Sequence, residues 1–411
     1  MNRNLNLLLS GQLVSQIGDK LYLLALSLWV LEITGSPAAM GAVLFASMAP
    51  LVLFGFFSGA FVDRYNRKNI IIGTDIFRGF IIAAVAVAYY MGALNVGWVI
   101  VAEVLLSINA AFFNPAIPSV IPQIVTESNL TKANSKVQFI AGFSNIIGPV
   151  LGGAAVIAFD YGFVFVLNAA TFLISAGFEC FLNIPRLNPS GAATQKIGAS
   201  VLAGYRYLLK EKRLLIIIFM VAVIHFFVGS IQVIMPVLAS SLAGHGAGNL
   251  GLLQAVFGAG SVFMAFIISI HSIHKKEVIM LFTGVGVIGF SYLLLGILGI
   301  FGFRLVFPYL FPFVCLSCAL VLAGTSFQTI IQQTTANEFS GRVFAIVSSV
   351  GNGSIPLAAL IYGILLTYID HAGLLFISGT ILVPMSIGFY YVYGCLNRRT
   401  ETDRRVEKFE G

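Results

Sequence analysis

The sequence predicts an all-α integral membrane protein in which twelve transmembrane helices form two pseudo-symmetric six-helix halves. The chain is 58% hydrophobic and only 9% charged, where an ordinary soluble domain carries roughly a quarter charged residues. Its apolar residues gather in runs near the ~20 residues that a helix needs to cross a bilayer. Its basic residues collect in the gaps between those runs, not on a periodic soluble segment with base-stacking aromatics. The formal net charge of +7 therefore reads as membrane topology, with the lipid bilayer as partner and no nucleic acid.

In chain order the spans fall at residues 5–32, 37–62, 70–92, 96–118, 137–159, 161–182, 214–242, 250–270, 278–301, 305–329, 343–368 and 374–396. The first run is too long for a cleaved signal, and Met1 to Asn4 is too weakly basic for one. Asp160 and its neighbours alone separate the fifth and sixth spans. The one long connection, Asn183 to Arg213, opens with Pro185, Pro189 and Gly191. It then sets Ile197, Val201, Tyr205, Leu208 and Leu209 beside Arg206, Lys210 and Lys212, the pattern of a basic amphipathic helix lying on the membrane surface. The expected organisation is an N-terminal half over 1–182, a linker over 183–213, a C-terminal half over 214–396 and a tail over 397–411.

An even number of spans puts both termini on one side. Placing them in the cytoplasm leaves every Lys and Arg on that side except Lys20, inside the first span, and Arg304; this bias fixes the orientation in a cytoplasmic (inner) membrane. Cys180, Cys315, Cys318 and Cys395 all lie in apolar runs and read as small core residues, not as a disulfide framework or metal site. No metal and no cofactor is expected. The halves repeat weakly, with Arg67-Lys68 against Lys275-Lys276, Lys136 against Arg342 and Pro149 against Pro356. Such parallel repeats place a binding site between the halves near the midplane.

Gly59-Ala60-Phe61-Val62-Asp63-Arg64-Tyr65-Asn66-Arg67-Lys68 is a charged turn wedged between two long apolar runs. Its spacing resembles the signature loop between the second and third helices of the major facilitator superfamily. The resemblance implies a conformational latch. Gly59 lets helices approach, Asp63 accepts hydrogen bonds from a helix N-terminus, and Arg64, Arg67 and Lys68 meet acids or carbonyls, with Asp75, Arg78 and Arg342 bracing it. In the second half His271 stands at the place of Asp63, so only the first half keeps the full motif.

In the fifth span, Gly148-Pro149-Val150-Leu151-Gly152-Gly153 bends the helix and leaves a smooth glycine face for a neighbour. At this position the segment resembles the antiporter motif of exporters. Gly11-Gln12, Gly18-Asp19, Asn114-Pro115-Ala116, Asn129-Leu130-Thr131 and Gly341-Arg342-Val343-Phe344 extend the resemblance over the chain, towards drug and macrolide efflux proteins of the proton-antiporter type and siderophore exporters. It implies a monomeric secondary transporter that exports small amphipathic molecules in exchange for protons. Lysophospholipid or other lipid transporters, which share the Gly-Asp pair, are the alternative.

Ionisable groups inside a bilayer are costly and functional by default. Asp19, about fourteen residues into the first span and so roughly 21 Å along it, is the leading proton or ion-coupling candidate. Glu103 in the fourth span and His225 in the seventh follow; a histidine suits a physiological switch. Asn109, Asn114, Gln232 and Gln254 are candidate cavity groups among Phe, Met and Leu, a lining that suits bulky amphiphiles. One departure stands out: drug antiporters commonly carry an arginine in the fourth span tied to proton coupling, and here that position is Leu106. Hydrolytic and ATP-driven chemistry is excluded, because no His-Glu-x-x-His, Gly-x-Ser-x-Gly or Gly-Lys-Ser signature occurs.

Overall fold

The computed structural model describes residues 3–126, 129–184, 212–270, 276–335 and 340–410. The amphipathic segment expected in the linker, His271 and Lys275 lie outside the described residues, as do the side chains of Asp63, Arg64 and Arg342. Twelve helices are seen: α1 (Arg3–Thr34), α2 (Pro37–Arg64), α3 (Arg67–Tyr90), α4 (Val96–Ile124), α5 (Leu130–Ala158), α6 (Tyr161–Cys180), α7 (Lys212–Ser241), α8 (Gly246–Ile270), α9 (Glu277–Ile300), α10 (Phe307–Thr334), α11 (Ser340–Leu365) and α12 (His371–Glu410). The last helix continues without a break through the stretch expected to be a separate tail.

Among the described residues, ten helices are long and apolar enough to cross a membrane. α1 carries Gln12, Gln16, Asp19 and Lys20 within its length. Polar residues between the runs stop and start the helices. Ser36, Asn66, Asn95 and Asp160 each accept a hydrogen bond from a backbone N–H in the first turn of α2, α3, α4 and α6, which satisfies donors that hydrocarbon cannot.

The turns record the internal repeat more clearly than the spans do. Gly35 and Gly92 take left-handed φ values of 59° and 65° after α1 and α3, and Gly244 and Gly302 take 93° and 72° after α7 and α9. Asp160 caps α6, and the carboxylate of Asp370 accepts from Gly373 at the start of α12. All of these turns lie on the face away from the termini, where a glycine without Cβ closes a tight reversal at no steric cost.

Within the first half α1 packs on α5 and α6, α2 on α4, and α3 on α4 and α6; within the second half α9 packs on α10 and α12, and α7 on α11 is joined by α8 on α10. The halves meet along two crossings, α2 with α11 and α5 with α8. Both are backbone approaches. A Cβ on Gly41 would stand 2.5 Å from the carbonyl of Ala359, one on Gly363 2.9 Å from the carbonyl of Pro37, one on Gly153 2.6 Å from the carbonyl of Ala247, and one on Gly251 2.8 Å from the carbonyl of Pro149. No real side chain tolerates such distances, so these glycines are what permit the seam. The α5–α8 crossing continues toward the termini, where a Cβ on Gly258 would stand 3.3 Å from the Asn145 carbonyl and one on Gly142 3.7 Å from Val262.

Candidate transport site

Burying a charge in a membrane protein demands a partner, so the interior of the first half is the place to look. Arg78 on α3 is its centre. Its Nε donates to Asn109 Oδ1 on α4 at 2.8 Å. Its guanidinium carbon lies 4.4 Å from the ring centre of Phe113 and 5.5 Å from that of Phe172, within cation–π range. Asp75, one turn earlier, has an oxygen 3.9 Å from Arg78 Nη1. Arg78 thus faces the amide and rings inside the bundle, while the side chains of Asp63 and Arg64, which it and Asp75 are expected to brace in the signature loop, lie outside the described residues.

Asn109 is therefore not a cavity group; its Nδ2 also donates to the Thr74 carbonyl at 3.3 Å. Leu106 packs among the apolar residues around α1. The fourth span lacks its expected arginine, yet a guanidinium still reaches α4 one turn away, delivered from α3.

Asp19 is half-buried on α1, and the polar groups acting on it are Arg78, adjacent Lys20 and Asn168 of α6. Gly18 beside it faces Asn168 and Thr171, so the bare glycine lets α6 bring its polar side chains against α1. Glu103 is buried at 5% exposure and accepts from Tyr22 Oη at 2.8 Å. It sits between α4 and α1 and is not bathed in an open cavity. His225 lies in the other half, where its Nδ1 is 2.9 Å from the Val221 carbonyl and Gly351 of α11 passes beside the ring.

The antiporter motif joins these parts. A Cβ on Gly152 would lie 3.1 Å from Leu21 Cα, and Gly148 faces the Cβ of Lys20, both on α1. Gly153 and Pro149, on another side of the same helix, press on α8 at Ala247 and Gly251. One short segment thus touches both the residue next to Asp19 and the seam between the halves. In the signature loop, Arg67 Nη1 donates to the Ser119 carbonyl of α4 at 3.1 Å, and Lys68 Nζ donates to the Cys180 carbonyl at the end of α6 at 2.8 Å. Its basic residues tie the loop to helix ends, where carbonyls carry partial negative charge.

The second half holds a cavity of about 130 Å³ lined by α7, α9 and α10, with Met220, Ile224, His225, Leu281, Gly324 and Phe327 on its walls. A second space of about 460 Å³ opens at the seam away from the termini, between Glu32, Tyr161, Ser240 and His245. Of the amides expected in a cavity, Asn114 is exposed and Gln232 and Gln254 are half-buried, and none of the three lines either space. Cys180, Cys315 and Cys318 are free thiols, and among the described residues no group of His, Cys, Asp and Glu could hold a metal ion.

Sequence reading missed Asn168, Tyr22 and Glu179. Glu179 was findable, since it is an ionisable residue at the end of an apolar run, the same signal that marks Asp19. Asn168 and Tyr22 carry no such signal, because uncharged polar residues are common in membrane helices.

Twelve helices among the described residues, packed as two six-helix halves that meet through glycine-on-backbone crossings, are the arrangement of a membrane transporter. A sequence model described as the Major Facilitator Superfamily matches residues 8–359, and the chain belongs to that superfamily. It is 29% identical over 406 residues to the uncharacterized MFS-type transporter YfiS of Bacillus subtilis (strain 168), covering 94% of this chain and 92% of that one. It is 24% identical over 392 residues to macrolide efflux protein A of Streptococcus pyogenes, covering 92% and 93%. Among solved structures, the POT family transporter PepTSo superposes with a TM-score of 0.75 at 12% identity, over 97% of this chain and 99% of that one; that likeness concerns the fold alone.

Proposed function

We propose that this protein exports small amphipathic molecules across the cytoplasmic membrane by alternating access, with proton exchange at Asp19 driving the cycle. The observation that carries this reading is the antiporter segment of α5, which rests on Lys20 and Leu21 beside Asp19 and on Ala247 and Gly251 across the seam. A change of charge at Asp19 shifts the balance among Asp19, Lys20 and Arg78, and α5 hands that change to the contact that must open. The likeness to a macrolide efflux protein supports export and a bulky, largely apolar cargo. The apolar cavity in the second half supports the same class, because few fixed polar groups suit ligands recognised mainly by shape and burial.

The charge bias of the loops supports cytoplasmic termini. The protein works as a monomer, each copy containing both halves and the whole site.

The test is uptake of a fluorescent macrolide into inside-out vesicles, with and without collapse of the proton gradient, beside uptake of a labelled lysophospholipid. Gradient-dependent macrolide uptake is expected in the wild type and background uptake in Asp19→Asn at equal protein levels. Lipid movement indifferent to the gradient would replace this reading with lipid transport.

A further inference from the structure

The tightest concentration of unpaired polar atoms lies neither at Asp19 nor in a cavity but between α3 and α6. Asp75 and Glu179 are each 0% exposed, and all four of their carboxyl oxygens lack a hydrogen-bond partner. Ser175, one turn before Glu179, lies against Asp75, yet its hydroxyl closes no hydrogen bond of normal geometry. Gly11 of α1 packs on Ser175, and Gln12 beside it has a buried amide oxygen that is also unpaired. In native interiors such atoms are scarce, because each costs roughly 1–3 kcal/mol and more when charged.

The charges around the pair do not balance. The cation acting on both carboxyls is Arg78. It approaches Asp75 only to 3.9 Å and has given its Nε to Asn109. Asp75 acts on Glu179 as a like charge, and Asp19 on α1 acts on Asp75 in the same sense. Lys20 offsets Asp19. On α4 the nearest polar side chain is neutral Asn109, and Lys68, at the end of α6 next to Glu179, spends its ammonium on the Cys180 carbonyl. Three carboxyls therefore face two cations, and two of the three have no exposed surface through which water could screen them.

We propose that Asp75 and Glu179 form a proton-binding site, holding one proton between them in this conformation and communicating with Asp19 through Arg78. A proton is the ligand that fits. It needs no coordination sphere, whereas a metal cation needs several oxygen ligands, and no metal-holding group of three is present among the described residues. Because Arg78 serves both Asp19 and the pair, ionisation at one reorganises the field at the other, so the pair belongs to the same charge circuit as the coupling residue. The inference does not depend on what is transported or on Asp19 being the coupling group.

The test is infrared spectroscopy of the full-length protein in ester-free detergent at neutral pH without substrate, with Glu103→Gln added to every variant so that the other deeply buried carboxyl of the first half cannot supply the signal, reading the carbonyl stretch of protonated carboxyl groups. The wild type is expected to show such a band. Glu179→Gln is expected to lose it, because Asp75 alone is then matched by Arg78, and Asp19→Asn is expected to retain it. A wild type without the band overturns the proposal with no variant needed. So does a band that survives in both Glu179→Gln and Asp75→Asn, one that vanishes only in Asp19→Asn, or one that disappears when sodium is added.

Discussion

Beneath one six-helix plan, the first half buries Asp75, Arg78, Glu103 and Glu179, whereas the described interior of the second half is mostly neutral, with hydroxyls that are paired except at Ser326 and Thr335. Tyr292 donates to the Phe227 carbonyl and meets Ser230, and Tyr362 shares a hydrogen bond with Ser378 at 2.6 Å. The second half's buried acid, Glu277, sits at the start of α9 and is met by Gln333. The same scaffold thus tolerates either interior, and the difference teaches where each kind of group is kept. Buried charge is concentrated in the first half, and an apolar recess lies in the second; under the proposed function the first serves coupling and the second the cargo.

That division can be broken most severely at its centre. Arg78→Leu removes the cation shared by three carboxyls and is expected to destabilise the first half by about 3–5 kcal/mol, the cost of stranding a buried partner; a large fall in melting temperature in detergent would register it. Arg78→Lys keeps the charge but loses the planar donor set, so its loss should be clearly smaller. Next comes the seam. Gly153→Val puts a branched side chain into the Ala247 carbonyl, and transport should fall at least ~10-fold, a cost of about 1.4 kcal/mol, while spin-label distances across the face away from the termini increase. If that variant transports normally with an unchanged seam, the crossing is not the moving contact.

Smaller changes sharpen the contrast between the halves. Gly324→Leu fills the cavity of the second half, where a Cβ meets nothing within 4 Å. It should raise KM for bulky cargo roughly 10–100-fold and leave the dependence on the proton gradient intact. Tyr22→Phe removes one hydrogen bond to Glu103, expected to cost about 1 kcal/mol. It should alter the pH profile of transport and leave KM alone, the reverse of the cavity variant. A substitution in either half that changed both quantities together would dissolve the division.

Most of the fold was legible because membrane spans announce themselves. Pro37 to Val62 and Ile70 to Gly92 contain almost no choice but helix, and polar residues at Ser36, Asn66 and Asp160 mark the starts. The site was legible only in part. Asp19 and Glu103 are ionisable groups within apolar runs, and composition alone isolates them. Which groups they face depends on helix rotation: nothing local says that Arg78 points to Asn109 and the rings of Phe113 and Phe172 instead of to the loop a few residues before it. The same limit hid the two faces of the antiporter segment. Its glycines predict close approach, but that Gly148 and Gly152 meet α1 while Gly153 meets α8 is fixed by packing across the whole bundle.

The seams themselves have a consequence for how freely the protein can alternate. At Gly41 with Gly363 and at Gly153 with Gly251, backbone lies on backbone, so parting these contacts releases few frozen rotamers. Side-chain entropy, which normally weighs on a packed interface, is small at these points. A contact made from absent side chains can be parted and remade without side chains having to find their places again.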